Sequence, residues 1–247
     1  MADPVFICPL GSRDATSTRR PGSAVSRQTS PGRSGWSPRS SPILGVVRTG
    51  ILGGTFDPIH IAHLHAAECA LHQLGLDRVL VVPAGDPWQK AGRTMSPDHL
   101  RLEMCRIAVD GTPGIEVDDR EITRPGPTYT IDTLESFPPD EELFLIVGSD
   151  AAAGLSTWHR WEEIANRVAV VVAPRPGSDV NVPGAIRIEM GLLEVSGTDI
   201  RRRAAGRHPF RYLVTAPVHA FIVANGLYTD LARDDMVQGS SMPEDQS

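Results

Sequence analysis

The sequence predicts an α/β protein built on a doubly wound, mainly parallel sheet, with helices on both faces and a small helical part at the C-terminal end. Three observations lead there. Runs of strand length such as RVLVVPA, ELFLIVG and VAVVVAP are apolar throughout rather than alternating, as strands covered on both faces must be. Segments with apolar residues at helical spacing lie between them. The first run ends in two glycines and an Asp-Pro turn that lead straight into a helical pattern. In such an open, Rossmann-like sheet, ligands bind beyond the carboxyl ends of the strands, and that is where the turn is delivered.

The elements follow in order. A first strand is expected from Val46 to Leu52, running into Gly53-Gly54. Leu64, Ala67, Leu71 and Leu74 then mark a helix that Gly75 stops. Arg78 to Ala84 is the second strand and GDPWQKAGR a loop, with Ser96-Pro97 as N-cap and first residue of a helix whose seam is Leu100, Met104 and Ile107 or Ala108. Ile115 to Asp119 is a third strand, followed by the loop RPGPTYT and a short helix through Leu134. Glu142 to Gly148 and Val168 to Pro174 are the fourth and fifth strands, with WHRWEEIANR helical between them. Leu192 to Val195 adds a last strand, SGTDIRRR opens another helix, and a final helix runs from Pro217 to a stop at Asn225-Gly226. No internal repeat exists beyond the βα alternation.

Composition bounds the rest. At 247 residues and 40% hydrophobic content, the chain has ample material for a core. Residues 1–44 are rich in Ser, Arg, Pro and Gly without periodicity and read as a disordered basic leader; 45–229 read as the folded domain and 230–247 as a disordered acidic tail. The net charge of −6 conceals the basic leader, so the folded part is acidic, which argues against nucleic-acid binding. No run approaches the roughly 18 apolar residues of a membrane span. Cys8, Cys69 and Cys105 are odd in number and lack metal-ligand spacing, as expected of a protein from a reducing compartment. A cytoplasmic protein without membrane or nucleic-acid partners is expected; self-association is left open.

GGTFDPIHIAHL, residues 53–64, carries the chemistry. Gly53 and Gly54 let an anion approach the main chain, Asp57-Pro58 turns it, and the helix that follows offers unpaired N–H groups at its positive end. The pattern is neither G-x-G-x-x-G nor a Walker sequence. His60 and His63, just before and within the first turn, are placed to donate N–H groups to phosphate oxygens. Two other readings compete: zinc ligation, which lacks a third ligand at a recognisable spacing among His65, Asp57 and Glu68, and ordinary helix-surface histidines. The glycine turn favours phosphate. A second anion-ready start is VSGTDIRRR, where Ser196 or Thr198 caps a helix and Arg201 can clamp phosphate oxygens bidentately. Lys90 is the only lysine beside 23 arginines, either a deliberate point charge or a chance surface residue.

These stretches resemble the nucleotidyltransferase superfamily with its (G/T)-x-F-D-x-x-H-x-G-H turn and late S-x-T-x-x-R helix start. More narrowly, TGILGGTFDPIHIAHL, VVPAGDPWQK, RPGPTYTIDTL, IVGSDAAAGLSTWHRWEEI, APRPG and VSGTDIRRR, spanning Thr49 to Tyr228, are similar to bacterial nicotinate-nucleotide adenylyltransferases. Two departures stand out: Ala62 replaces the glycine between the histidines, and Gly197 follows Ser196. The resemblance implies transfer of the adenylyl group of ATP to nicotinate mononucleotide, giving nicotinate adenine dinucleotide and pyrophosphate. It implies catalytic roles for His60, His63, Lys90 and Arg201, and ATP phosphate contacts from Gly53, Gly54, Thr55, Phe56, Ser196 and Thr198. Gly148, Asp150 and Arg175 fall on the adenosine side; Thr130, Trp158 and His159 fall on the nicotinate side. Mg²⁺ is implied as a cofactor carried mainly by the ATP phosphates, with no protein metal site. Trp158 also has a plainer reading, with Trp161, as a helix-core pair at i and i+3.

Rival functions are an adenylyl- or cytidylyltransferase acting on nicotinamide mononucleotide or phosphopantetheine, a non-catalytic nucleotide-binding module, and a zinc hydrolase. PTYTIDTL and the STW segment favour the nicotinate enzyme.

Overall fold

The computed structural model describes residues 45–87, 95–178 and 180–229. The leader 1–44, Lys90 with most of its loop, and the tail 230–247 lie outside the described residues. Eight strands and eight helices alternate through them: β1 Arg48–Gly54, α1 Ile61–Gln73, β2 Arg78–Pro83, β3 Asp86–Pro87, α2 Asp98–Val109, β4 Ile115–Val117, α3 Arg120–Thr123, β5 Pro127–Thr128, α4 Thr130–Glu135, β6 Glu142–Gly148, α5 Ser149–Ala152, α6 Trp161–Arg167, β7 Val168–Ala173, β8 Ile186–Arg187, α7 Gly197–Ala205 and α8 Ala216–Ala224.

Six strands form one sheet in the order β4-β2-β1-β6-β7-β8, every pair parallel. The chain winds outward from β1 through β2 to β4, then returns to β6 on the other side of β1. The winding direction therefore reverses between β1 and β6, and a crevice must open at their carboxyl ends.

Alternate residues of the apolar strands feed two cores. Leu52, Val79, Val81, Phe144 and Ile146 pack with Ala67 and Ala70 of α1, Met104 and Cys105 of α2, Ile200 of α7, and Val218 and Ile222 of α8. Ile51, Leu80, Val82, Leu143, Leu145 and Val147 pack on the other face with Ile131 and Leu134 of α4 and Ile164 of α6. Two buried faces explain why the strands lack polar alternation.

Four expectations change. The expected strand at Leu192–Val195 is absent: the edge strand is β8, Ile186–Arg187, which precedes that segment in the chain, and Leu192 is 62% exposed. A short segment beyond a sheet edge finds no partner strand. Helix α2 begins at Asp98 with Pro97 as N-cap, not at Pro97, because its φ of −48° and ψ of 143° are extended rather than helical. Its buried face also turns by one residue, to Arg101, Met104, Cys105 and Ala108, leaving Leu100 half-buried. Trp158 precedes α6 rather than joining Trp161 on it, because Arg160 adopts a left-handed conformation, φ 56°, between the two tryptophans. The small parallel pair β3–β5 had no pattern of its own to announce it.

Cys69 and Cys105 fall within α1 and α2 and are free thiols. Among the described residues, no helix is long and apolar enough to cross a membrane.

Candidate active site

At the carboxyl edge of β1 and β6 lies a cavity of about 580 Å³. The TFDPIH turn forms its floor. The turn is compact: Phe56 takes φ 50°, a left-handed conformation that a bulky side chain adopts only when packing holds it there. Its ring is buried and meets His63 edge-on, centroids 5.0 Å apart. Gly54 makes room for that ring, since a Cβ there would lie 3.0 Å from it, whereas Gly53 faces open space. The two glycines thus do different jobs. Gly54 accommodates Phe56, and Gly53 leaves bare main chain toward the cavity.

His60 and His63 come together as the sequence suggested. His60 is the N-cap of α1 and His63 its third residue, so one turn of helix stacks their rings with centroids 3.7 Å apart. The His60 backbone N–H donates to His63 Nδ1 at 3.3 Å. Neutral His63 therefore carries its proton on Nε2, leaving that nitrogen a donor. His60 is 2% exposed, and its Nδ1 is the buried side-chain atom without a hydrogen-bond partner among the described residues. Burial, with a smaller contribution from the charge of Arg175, holds its imidazole down to about 3, so the ring is neutral at physiological pH.

Asp57 ties the turn to the rest of the molecule. Oδ1 accepts the buried Tyr228 hydroxyl at 2.7 Å, Oδ2 accepts the Ser96 backbone N–H at 3.2 Å, and its carbonyl accepts Arg201 Nη1 at 2.6 Å. Arg201 also donates to Thr198 Oγ1 at 3.2 Å. Arg101, on α2 and 1% exposed, donates to three carbonyls: Thr55 at 2.8 Å, Ser96 at 3.1 Å and Gly85 at 3.2 Å. One guanidinium thereby fastens the loops that leave β1 and β2 to the start of α2. Burial lowers its pKa, and the carboxylate of Asp57 opposes that.

Most of the expected site residues meet at this cavity. Gly53, Gly54, Thr55, Phe56, His60, His63, Thr198, Arg201, Gly148, Asp150, Arg175, Thr130, Trp158 and His159 all line it. Ser196 does not; its hydroxyl caps α7 by accepting the Asp199 N–H at 3.1 Å. Lys90 lies outside the described residues. Arg175 sits beside Gly148, donates to the Val195 carbonyl at 3.1 Å and approaches Asp150 at 3.7 Å. His159 meets Tyr129, ring centroids 4.5 Å apart, and Trp158, half-buried, lines the same cavity.

The two sequence departures have structural reasons. Ala62 is absent from the cavity lining and packs against the first core. At Gly197 a Cβ would stand 3.0 Å from the Asp57 carbonyl and 3.3 Å from Arg201 Nη1, so glycine keeps that hydrogen bond open.

Arg101, Tyr228 and Glu121 were not singled out by sequence, and Asp57 was read only as part of the turn and as a possible zinc ligand. Arg101 lies 46 residues from Thr55, whose carbonyl it holds, and Tyr228 is 171 residues from its partner. Replacing Tyr228 by phenylalanine is expected to leave a buried carboxylate oxygen short of a donor and to cost about 1–3 kcal/mol of stability. Urea unfolding of the two proteins measures it.

Among the described residues, no cluster of three or more His, Cys, Asp or Glu is arranged to hold a metal ion. The zinc reading of His60 and His63 thus gains no third ligand there.

A family model described as cytidylyltransferase-like matches residues 51–203. A probable nicotinate-nucleotide adenylyltransferase of Bordetella petrii is 39% identical over 193 residues, covering 73% of this chain and 98% of that protein. Another from a Roseiflexus species is 43% identical over 192 residues, covering 72% and 96%. Among solved structures, Plasmodium falciparum nicotinic acid mononucleotide adenylyltransferase complexed with NaAD superposes with a TM-score of 0.64 at 18% identity, over 74% of this chain and 98% of that one. The same similarity of fold holds for that enzyme complexed with APC, at a TM-score of 0.62, 18% identity and the same coverage. With a domain match across most of the sheet and relatives more than a third identical over nearly their full length, the chain belongs to the nicotinate-nucleotide adenylyltransferase family of cytidylyltransferase-like proteins.

Proposed function

We propose that this cavity aligns the phosphate of nicotinate mononucleotide with the α-phosphorus of ATP, joining them into nicotinate adenine dinucleotide with release of pyrophosphate, a step of NAD biosynthesis. The observation that carries the reading is the convergence on one cavity of two stacked imidazoles at a helix start, an arginine at a second helix start, and an aromatic wall.

The nucleophile is an oxygen of the mononucleotide's phosphate, mostly dianionic at neutral pH because its second pKa is near ~6. It bonds to the α-phosphorus as the bond to the bridging oxygen of the β-phosphate breaks, and the electron pair leaves with pyrophosphate. No proton is removed, so no general base is needed. What the protein supplies is alignment and neutralisation of charge. His63 Nε2–H is assigned to the reacting phosphate. His60, neutral in the free cavity, donates from the same side, and bound phosphate raises its pKa because an anion favours the protonated ring. Arg201 and Thr198 face the triphosphate from the start of α7, where the N–H groups of its first turn add positive potential. Ser196 supports them as the cap, and Lys90 is assigned to the same phosphates.

The residues present fit a magnesium ion that arrives on the triphosphate. Both carboxylate oxygens of Asp57 already accept hydrogen bonds, and Asp150 lies beside Arg175, so phosphate oxygens and water are left as the donor set. When bound, Mg²⁺ withdraws charge from the departing pyrophosphate. On the other side, Gly148, Asp150 and Arg175 are assigned to adenosine, while Trp158 stacks on the pyridine ring and Thr130 and His159 flank its carboxylate.

Pyrophosphate release from purified protein, supplied with ATP, Mg²⁺ and each mononucleotide in turn, tests the reading. Release with nicotinate mononucleotide at a higher kcat/KM than with the amide is expected. Equal or reversed preference sinks the substrate assignment, and no release with either sinks the reaction.

A further inference from the structure

One wall of the cavity carries a carboxyl group that adenylyl transfer does not use. Glu121, on the short helix α3, is 9% exposed and lines the cavity with Tyr129, Thr130 and Thr133. Its position is fixed from two sides. Behind it, a Cβ on Gly85 would stand 2.3 Å from the Glu121 carbonyl oxygen, so glycine alone lets α3 back onto the chain leaving β2. In front, Glu121 Oε1 accepts the Thr133 hydroxyl at 2.7 Å, and Thr133 Oγ1 accepts Arg124 Nη1 at 3.3 Å.

Arg124 therefore reaches Glu121 through a hydroxyl rather than by a direct ion pair among the described residues. The remaining charged groups around it are already engaged. Arg120 pairs with Asp118 on the same segment, Arg101 of α2 is spent on the Gly85 carbonyl, and Arg106 of α2 pairs with Asp119. Arg78 of β2 pairs with Glu141, and from α4 the Asp132 carbonyl is taken by Arg124. A buried carboxyl group without its own cation resists ionisation. Burial pushes Glu121 up to about 7, with the Thr133 hydrogen bond and Arg124 opposing, Asp118 adding to the rise and Arg120 resisting it.

We propose that Glu121 is a specificity-determining residue of this active site, its buried carboxyl group weighing an anionic substituent on the substrate's pyridine ring against a neutral one. The inference rests on the proposed placement of that ring between Trp158 and Thr130. An ionised Glu121 repels a ring carboxylate in the same desolvated cavity and leaves a carboxamide untouched. A protonated Glu121 removes the repulsion. The preference for the acid is thus greatest at low pH and declines as Glu121 ionises.

The test is the ratio of kcat/KM for nicotinate mononucleotide to that for nicotinamide mononucleotide, followed between about pH 5.5 and 8.5. Titrations common to both reactions, those of the substrate phosphates and of His60, cancel in the ratio; His159, placed beside the ring carboxylate, is the same in wild type and Glu121→Gln, so the difference between their two profiles reads Glu121. In the wild-type protein the ratio is expected to fall about tenfold with a midpoint near 7, and in Glu121→Gln it is expected to vary less than about twofold. A flat ratio in the wild type, or an undiminished fall in Glu121→Gln, overturns the proposal. If Glu121→Gln does not fold, Thr133→Ala decides: losing a hydrogen bond that favours the ionised form moves the midpoint upward, and an unmoved midpoint overturns the proposal. Absence of turnover with both mononucleotides in the wild type overturns the functional reading itself, and is distinguishable because no ratio then exists.

Discussion

Alanine in place of His63 is expected to lower kcat for pyrophosphate release by about 10²–10³-fold while changing the KM for ATP about threefold or less. The asymmetry follows from the geometry. His63 Nδ1 accepts the His60 backbone N–H, so the proton of the neutral ring is held on Nε2. Stacking on His60 and edge contact with Phe56 fix the plane of the ring. A donor so constrained is set before substrate arrives, and its hydrogen bond strengthens as charge accumulates on the equatorial oxygens of the pentacovalent phosphorus. In the proposed arrangement, ground-state binding of ATP is spread over Arg201, Thr198 and the helix starts and loses little. His63→Gln, which restores an N–H donor without the imidazole, is expected to recover part of the loss. Steady-state kinetics with ATP varied against saturating nicotinate mononucleotide reads both constants. A loss appearing wholly in KM would move His63 out of the reacting centre and favour a module that only binds nucleotide.

What could be read from the sequence follows from which interactions are local. The stacked histidines are three residues apart on one helix, and the cap of α7 is a Ser and a backbone N–H three residues on; spacing alone foretells such contacts. The strands were legible because double coverage writes itself as unbroken hydrophobic runs. Boundaries were less so. α2 starts one residue later than its N-cap pattern suggested, and Trp158 leaves the helix because Arg160 turns left-handed, in a conformation where its guanidinium also contacts Glu163 and Glu135. The expected strand at Leu192–Val195 failed because β-pairing needs a neighbour, which no single segment reveals. Least legible was the scaffold under the site. Tyr228 and Asp57, or Arg101 and Thr55, are partners only because the sheet brings distant loops to one edge.

That scaffold predicts the larger stability effect. Arg101→Met is expected to destabilise the protein by about 3–5 kcal/mol, the scale of removing one partner from a buried charged network. Methionine fills much of the volume of the arginine stem, so the loss is not mainly a cavity. Three carbonyl oxygens, of Thr55, Gly85 and Ser96, lose their donor at once, and the buried carboxylate of Asp57 loses a neighbouring positive charge. Replacing a whole buried ion network by apolar side chains can be neutral; removing only the cation is not, because the buried acceptors it served stay behind. Arg101→Lys keeps the charge but offers a compact ammonium group where a planar fork spans three acceptors, so an intermediate loss is expected. Guanidinium-chloride unfolding gives the ordering wild type, Lys, Met from most to least stable. Since Thr55 adjoins Phe56 and Asp57 positions Arg201, the same two variants are expected to lose turnover in that order under conditions where both are folded. A methionine variant as stable and as active as the wild type would show that the three loops are held without the guanidinium, and that the packing of Phe56 and the hydrogen bonds of Asp57 suffice to order the turn bearing His60 and His63.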